Sequence, residues 1–132
     1  MIVVDTSAAI AALLGRDAAR SALAGRRLLA PHVIDAEIAH ALRGLALGGK
    51  VTEPEASRVL GVWRAMAVDR LPMAGLLPRV WELRANLSAY DAFFVAAAEV
   101  HRVPLVTADR RLASAPGIRC TIELIAGAAG SA

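Results

Sequence analysis

The sequence predicts an α/β domain in three layers, with helices on both faces of a central, mostly parallel sheet of about four to five short strands. Short apolar runs without polar alternation, at residues 2–4 and 105–106, are typical of strands that are covered on both faces. Longer segments between them carry apolar side chains at helical spacing. Strands that alternate with helices in this way indicate parallel pairing.

The first half of the chain divides into strands and helices at capping residues and glycines. Asp5, Thr6 and Ser7 follow the first strand and offer oxygen atoms that can cap a helix, which Gly15 ends. The predicted elements are a strand at residues 2–4, helices at 8–14 and 17–25, a strand at 28–30, helices at 31–47 and 52–67, and a strand at 68–71.

The second half repeats this alternation. Ser88 is placed to cap a helix, and Asp109 is placed to start a short helical turn. The predicted elements are helices at 77–85 and 88–101, a strand at 105–106, the turn from 109, and a last strand at 118–122. We expect one domain at residues 1–124 and a flexible C-terminal tail at 125–132, which after its first residue contains only Gly, Ala and Ser.

Composition narrows the range of functions. The net charge of +3 comes almost wholly from arginine, which suits phosphate contacts, although biased codon usage explains it equally well. Aromatic residues make up 4% of the chain, so a base-stacking sheet is not expected. Cys120 is the only cysteine, which excludes an internal disulfide and a zinc cluster and favours a cytoplasmic protein. No apolar run approaches the ~18 residues of a membrane span.

Four acidic residues are candidates for a shared site: Asp5, Glu37, Asp91 and Asp109. Asp5 and Asp109 each follow a strand, and sites in open α/β sheets lie beyond the carboxyl ends of strands. Taken singly, Asp5 and Asp109 could be helix caps, and Asp91 could complete a capping box with Ser88. Taken together, like charges that meet in a fold need a cation. Oxygen ligands select Mg²⁺ or Mn²⁺, whose natural chemistry is phosphoryl transfer.

The order and spacing of the motifs around these acids resemble the PIN-domain family, and within it the VapC-like toxin ribonucleases of bacterial toxin–antitoxin pairs. The stretches that carry the resemblance are IVVDTSA at residues 2–8, PHVIDAE at 31–37 with ALR at 41–43, LSAYDA at 87–92 and LVTADRRL at 105–112. Each motif is short, but the ordered set covers nearly the whole chain.

The resemblance implies a PIN-like fold and a Mg²⁺- or Mn²⁺-dependent endoribonuclease that acts as a toxin. The four acids would hold the metal and a water that it activates for hydrolysis of RNA phosphodiesters. Thr6 and Thr107 would supply supporting hydroxyls, and Arg43, Arg110 and Arg111 are candidates for RNA phosphate contacts. The implied partners are RNA, a cognate antitoxin protein and a second copy in a homodimer, with no membrane.

Two other functions compete with this one. A phosphatase of the haloacid dehalogenase type requires a second aspartate two residues after the first, and Ser7 occupies that position. A catalytically inert PIN-like scaffold that binds RNA or a protein partner remains an alternative.

The mean hydropathy of +0.52 is high for a small domain and predicts an apolar partner surface. We expect it to be a dimer face or antitoxin groove formed by Leu45, Leu47, Val59, Leu60, Val62 and Trp63.

Overall fold

A computed structural model describes residues 1–125 and contains one five-stranded sheet with seven α-helices. The strands are β1 (Ile2–Val4), β2 (Leu28–Pro31), β3 (Val68–Leu71), β4 (Leu105–Thr107) and β5 (Ile122–Leu124). The helices are α1 (Thr6–Leu13), α2 (Asp17–Leu23), α3 (Ile34–Leu47), α4 (Glu53–Ala65), α5 (Leu77–Glu82), α6 (Ala89–His101) and α7 (Arg110–Ala113). The predicted three-layer α/β/α fold is confirmed.

The sheet has the strand order β3-β2-β1-β4-β5, and every pair is parallel. β1, β2 and β4 are buried along their whole length, which explains why they lack polar alternation. From β1 the chain runs outward through β2 to β3, and then crosses to the other side for β4 and β5. The connection that leaves β1 therefore runs to one side of the sheet, and the connection that leaves β4 runs to the other. A crevice opens between them, beyond the carboxyl ends of these two strands.

Helix α6 forms the centre of the core. Its residues 92–98 are all buried, and it packs against β1 and β2. Four of these seven residues are alanine, which lets the helix backbone lie close to the sheet. Ser88 caps the helix as predicted, because its hydroxyl accepts a hydrogen bond from the backbone N–H of Asp91 at 3.2 Å. The start of α6, and with it Asp91, is thereby held at the carboxyl edge of the sheet.

The last strand lies at Ile122–Leu124, so its predicted position at residues 118–122 is wrong. Gly117 has a positive φ of 88°, and the chain then passes α6, where the backbone N–H of Arg119 donates to Glu99 at 2.8 Å. Pairing with β4 starts only at Ile122. Ile125 is buried, and its N–H donates to the Thr107 carbonyl at 2.8 Å. The packed domain thus includes Ile125, and residues 126–132 of the predicted tail lie outside the described residues.

Helix α3 begins at Ile34, three residues later than predicted. Pro31 continues β2 opposite Leu71, and the backbone N–H of His32 donates to the Leu71 carbonyl at 3.1 Å. These pairings keep the chain extended up to residue 31. Since the helix is amphipathic, its buried face carries Ile34, Ile38 and Leu42.

The predicted apolar surface is partly interior. Val59 and Trp63 are buried in the core, whereas Leu47, Leu60 and Val62 remain exposed. The Trp63 indole N–H donates to Asp35 at 2.8 Å. Asp35 also forms an ion pair with Arg70 at 2.8 Å. No helix within residues 1–125 combines the length and apolar character needed to cross a bilayer.

Candidate active site

One cavity of about 300 Å³ at the carboxyl edge of the sheet brings all four predicted acids together. Its lining consists of Asp5, Thr6, Ser7, Ile10, Glu37, Ala41, Asp91, Phe94 and Asp109. Asp5 follows β1, Glu37 lies in the first turn of α3, Asp91 lies in the first turn of α6 and Asp109 precedes α7. Segments that are distant in sequence meet here because parallel strands end at the same edge.

Asp5 is held by a set of hydrogen bonds that joins the ends of β1 and β4. Its Oδ1 accepts from the Ser7 hydroxyl at 2.7 Å and from the Ala8 backbone N–H at 2.9 Å, and its Oδ2 accepts from the Thr107 hydroxyl. Ser7 Oγ accepts from the Ala108 N–H at 2.9 Å, and Thr107 Oγ1 accepts from the Asp109 N–H at 3.0 Å. The orientation of Asp5 is thus set by both strands.

Burial dominates the electrostatics of Asp5, which is 5% exposed. The pKa of its carboxyl is raised to about 6, because burial and, to a smaller extent, the charge of Asp91 outweigh the lowering by the hydrogen bonds from Thr107, Ala8 and Ser7. A negative charge at this position is therefore costly unless a cation approaches.

Glu37 is half-buried and points into the cavity from α3. The Thr6 hydroxyl donates to its Oε1 at 2.5 Å, so the supporting hydroxyl predicted at Thr6 contacts Glu37. Burial raises the pKa of Glu37, the bond from Thr6 lowers it, and the charge of Asp91 raises it.

Asp91 and Asp109 both line the cavity, and their charges interact. Burial raises the pKa of Asp91, the neighbouring charge of Asp109 adds to this rise, and Ser88 and Arg111 lower it. Asp109 is also the cap of α7, because its Oδ1 accepts from the backbone N–H groups of Arg111 at 2.9 Å and Leu112 at 3.4 Å. The capping interpretation of Asp109 is therefore confirmed, and the same residue lines the cavity.

The three arginines predicted to contact RNA phosphates differ in how near they lie to the acids. Arg111 is near enough to Asp91 for its charge to lower the pKa of that carboxyl. Arg43 and Arg110 are exposed, and neither lines the acid cavity. Of the three arginines, only Arg111 is brought to the acids in this conformation.

The donor set fits a hard divalent cation by its chemistry, because it consists of carboxylates and hydroxyls. Within residues 1–125, no Lys or Arg forms an ion pair with any of the four acids. In the same range, however, no three His, Cys, Asp or Glu side chains are arranged so that they could hold a metal ion as they stand. Since Asp5 is fixed by its hydrogen bonds, an ion would have to draw the other three carboxylates towards it.

Two parts of the site were not predicted from the sequence. Ser7 was interpreted as a helix cap, but its hydroxyl donates to Asp5, which is itself the cap of α1. A second cavity, next to the first, is lined by His40 and Tyr90 among others. His40 lies three residues after Glu37, a helical spacing that places both side chains on neighbouring parts of the α3 surface. That spacing was the available signal for His40.

Comparison with known proteins finds one family model that matches this chain and several curated proteins that are similar to it. The family model described as PIN domain matches residues 2–118. A curated relative, VapC ribonuclease Mb0985 of Mycobacterium bovis, is 50% identical over 125 residues, which are 95% of this chain and 98% of the relative.

Solved structures agree with the fold. PAE2754 from Pyrobaculum aerophilum has a TM-score of 0.65 at 30% identity, covering 86% of this chain and 82% of that chain. VapBC2 from Rickettsia felis, bound to a DNA fragment from its promoter, has a TM-score of 0.69 at 15% identity, covering 94% and 98%. The second likeness shows the fold alone.

Proposed function

Because this chain belongs to the PIN-domain family, we propose that it is a ribonuclease of the VapC kind, the toxin of a toxin–antitoxin pair, and that it cuts RNA internally with Mg²⁺ or Mn²⁺. The observation that carries the proposal is the meeting of Asp5, Glu37, Asp91 and Asp109 in one cavity, where none of them forms an ion pair with a Lys or Arg among the described residues. A relative named as a ribonuclease, similar along its whole length, supports the RNA substrate.

The side chains have distinct tasks in this proposal. Asp5 presents a carboxylate whose direction is set by Ser7 and Thr107, and it is the most rigid of the four ligands. Thr6 holds Oε1 of Glu37 and leaves Oε2, which accepts no hydrogen bond from residues 1–125. When bound, the ion would neutralise charge on phosphate oxygens and lower the pKa of water. Arg111 lies close enough to offer its guanidinium to a neighbouring phosphate.

The test is RNA cleavage with Mn²⁺ or Mg²⁺ by the natural protein and by Asp5→Asn. We expect Asp5→Asn to lose at least ~100-fold in rate, because even residues that only orient metal ligands contribute about 10–100-fold. Asp69→Asn is the matched control, since Asp69 only pairs with Arg27 on the surface. Equal cleavage by the natural protein and Asp5→Asn would overturn the proposed mechanism.

The inert scaffold remains the second candidate. It is favoured by one observation, namely that no three acids within residues 1–125 are arranged to hold a metal ion without moving. The same assay separates the two candidates. If the natural protein cuts none of the RNAs offered, with or without Mn²⁺, the scaffold is the better description.

An antitoxin partner is supported by a groove far from the acids. A cavity of about 400 Å³ is lined mainly by apolar side chains of α1, α2 and α4, with Arg20 and Arg58 among its lining residues. An apolar segment with acidic flanks would complement it. We expect Val62→Asp, in this groove, to weaken binding of the cognate antitoxin in calorimetric titration. Unchanged affinity would exclude this groove.

The homodimer is likewise a proposal. Leu47 and Leu60 are large, exposed apolar side chains on α3 and α4, and burial against a second copy would remove them from water. Size-exclusion chromatography with light scattering tests this directly, and a monomer at micromolar concentration would contradict it.

A further inference from the structure

A second cavity, of about 620 Å³, adjoins the acid cavity at the carboxyl edge of the sheet. Its lining consists of Thr6, Val33, Ala36, Glu37, His40, Ala41 and Tyr90. Thr6, Glu37 and Ala41 also line the acid cavity, so the two spaces share one wall. A group bound in one cavity would therefore lie next to a group bound in the other.

The two cavities differ in chemistry. The acid cavity is walled by four carboxylates, whereas the second is walled mainly by Val33, Ala36 and Ala41 and by the rings of His40 and Tyr90. Its volume falls within the range of about 300–1,000 Å³ that is typical of ligand sites, and such sites combine apolar walls with a few polar groups. The second cavity is therefore suited to a flat and largely uncharged group.

Tyr90 is the most informative residue of this cavity. It is the only tyrosine of the chain, and 61% of it is exposed. Neither the Tyr90 nor the His40 side chain forms a hydrogen bond or ion pair with any other residue in the range 1–125. By contrast, Phe93, Phe94 and Trp63 are in the core, and the exposed ring of Trp81 is covered by the Arg84 guanidinium. The fold thus leaves the Tyr90 ring available beside the acids.

We propose that this second cavity is a subsite for one nucleobase of the RNA strand, which stacks on the Tyr90 ring while the adjoining phosphate enters the acid cavity. The inference rests on the proposed ribonuclease function for the identity of its ligand. Unpaired bases are recognised by stacking on aromatic side chains and by hydrogen bonds to their edges. The Tyr90 hydroxyl and the His40 ring nitrogens supply such hydrogen-bonding groups. One ring is enough for one base, so the low aromatic content does not argue against the subsite.

The surface beyond the subsite suits the rest of the strand. Arg43 follows Ala36 and His40 on the same face of α3, at helical intervals of four and three residues. Its exposed guanidinium is available for a phosphate one or more nucleotides away from the reacting one. This placement gives Arg43 a role although it does not line the acid cavity.

The single tyrosine makes the subsite directly testable. Protein labelled with 3-fluorotyrosine has one fluorine signal, from residue 90. We expect this signal to shift when short single-stranded RNA of mixed sequence is added, and to stay unchanged with an abasic ribose–phosphate chain of equal length. An unchanged signal with RNA, or equal shifts with both chains, would overturn the subsite. A signal that depends on protein concentration and not on RNA would also overturn it, because a second copy would then cover the cavity.

Substitution gives the second readout. By fluorescence anisotropy, Tyr90→Ala should weaken binding of the same RNA roughly tenfold, the loss expected for one stacked base. Tyr90→Phe keeps the stacking ring and loses only the hydroxyl, so it should bind more tightly than Tyr90→Ala. Trp81→Ala removes an exposed ring elsewhere and should stay within about twofold of the natural protein by the same reasoning. If Tyr90→Ala bound the RNA as tightly as the natural protein does, the proposal would be contradicted.

The cleavage assay on the same RNA separates this inference from the proposed function. Cleavage without a base-dependent fluorine shift would overturn the subsite and leave the ribonuclease standing. A base-dependent shift without cleavage would support the subsite and contradict the proposed ribonuclease activity.

Discussion

At the residue scale, Asp5 illustrates how one side chain serves structure and site together. Its backbone ends β1, its Oδ1 caps α1, and its carboxylate faces three other acids. Each surrounding hydroxyl has a single proton to donate, and those of Ser7 and Thr107 both go to Asp5. These bonds only partly offset the effect of burial, so the negative charge of Asp5 lowers the stability of the folded protein.

This cost predicts how stability depends on pH in the absence of divalent ions. The pKa of Asp5 is raised from 3.8 to about 6 in the folded state, so the folded protein binds more protons than the unfolded chain between these values. The free energy of unfolding should therefore fall as pH rises from about 4 to about 6, and stay lower above that. Asp5→Asn removes the charge, and asparagine still caps helices well.

We expect Asp5→Asn to stabilise the protein at pH 7.5 by ~2 kcal/mol and to have little effect near pH 4. Urea denaturation with a chelator present measures this. Asp69→Asn, on the surface, should show no such pH dependence. Equal or lower stability of Asp5→Asn at pH 7.5 would contradict the electrostatic account of the site.

At the element scale, an arginine–glutamate pair holds α5, α6 and the segment before β5 together. Arg79 Nε donates to Glu99 at 2.7 Å, and its Nη2 donates to the Gly117 carbonyl at 2.7 Å. Glu99 also accepts from the Arg119 backbone N–H. Burial raises the pKa of Glu99, but these donors and their charges hold it below its usual range. The pair thus connects α5, α6 and the segment before β5 through three hydrogen bonds.

Removing one member of the Arg79–Glu99 pair should strongly destabilise the folded protein. We expect Glu99→Ala to lower the free energy of unfolding by about 2–3 kcal/mol, because it leaves Arg79 largely buried with only the exposed Glu82 as a counter-charge and removes the acceptor of the Arg119 N–H. Asp69→Ala breaks the exposed pair with Arg27 and should cost no more than ~0.5 kcal/mol. Urea denaturation of both variants at pH 7 gives the comparison. Similar costs for the two pairs would show that the Arg79–Glu99 contact is no more than a surface interaction.

At the scale of the whole molecule, strand order decides where charge accumulates. β1 and β4 are neighbours at the centre of the sheet, and the connections that leave them diverge. Asp5 and Asp109 therefore follow neighbouring strands, while α3 and α6 bring Glu37 and Asp91 to the same edge. The molecule carries a net charge of +3, yet its central crevice is negative.

A ligand that binds only the folded state raises its stability. We therefore expect millimolar Mn²⁺ to raise the melting temperature of the natural protein by several degrees, since saturation at 100 times the dissociation constant contributes about 2.7 kcal/mol. Asp91→Asn should reduce this rise, and Asp69→Asn should keep it in full. Differential scanning calorimetry with and without a chelator makes the measurement, and an unchanged melting curve would count against a metal site.

The success of sequence-based prediction differed from element to element for physical reasons. Ser88 caps its helix as predicted, because capping depends on a few neighbouring residues. The position of β5 was wrong, because pairing with β4 and the contact of Arg119 with Glu99 decide where that strand starts, and both partners are distant in sequence. Trp63 was predicted to be on a surface, although Asp35 and Arg70 hold it in the interior.

The amino-acid sequence alone determined the alternation of strands and helices, the order of the acidic motifs and hence the family, because each depends on local patterns. Tertiary structure alone decided that Thr6 holds Glu37, that Thr107 holds Asp5, and that Tyr90 lies in a cavity beside the acids. Such contacts join residues up to a hundred positions apart. The strand order and the burial of side chains create them, and no local pattern encodes either.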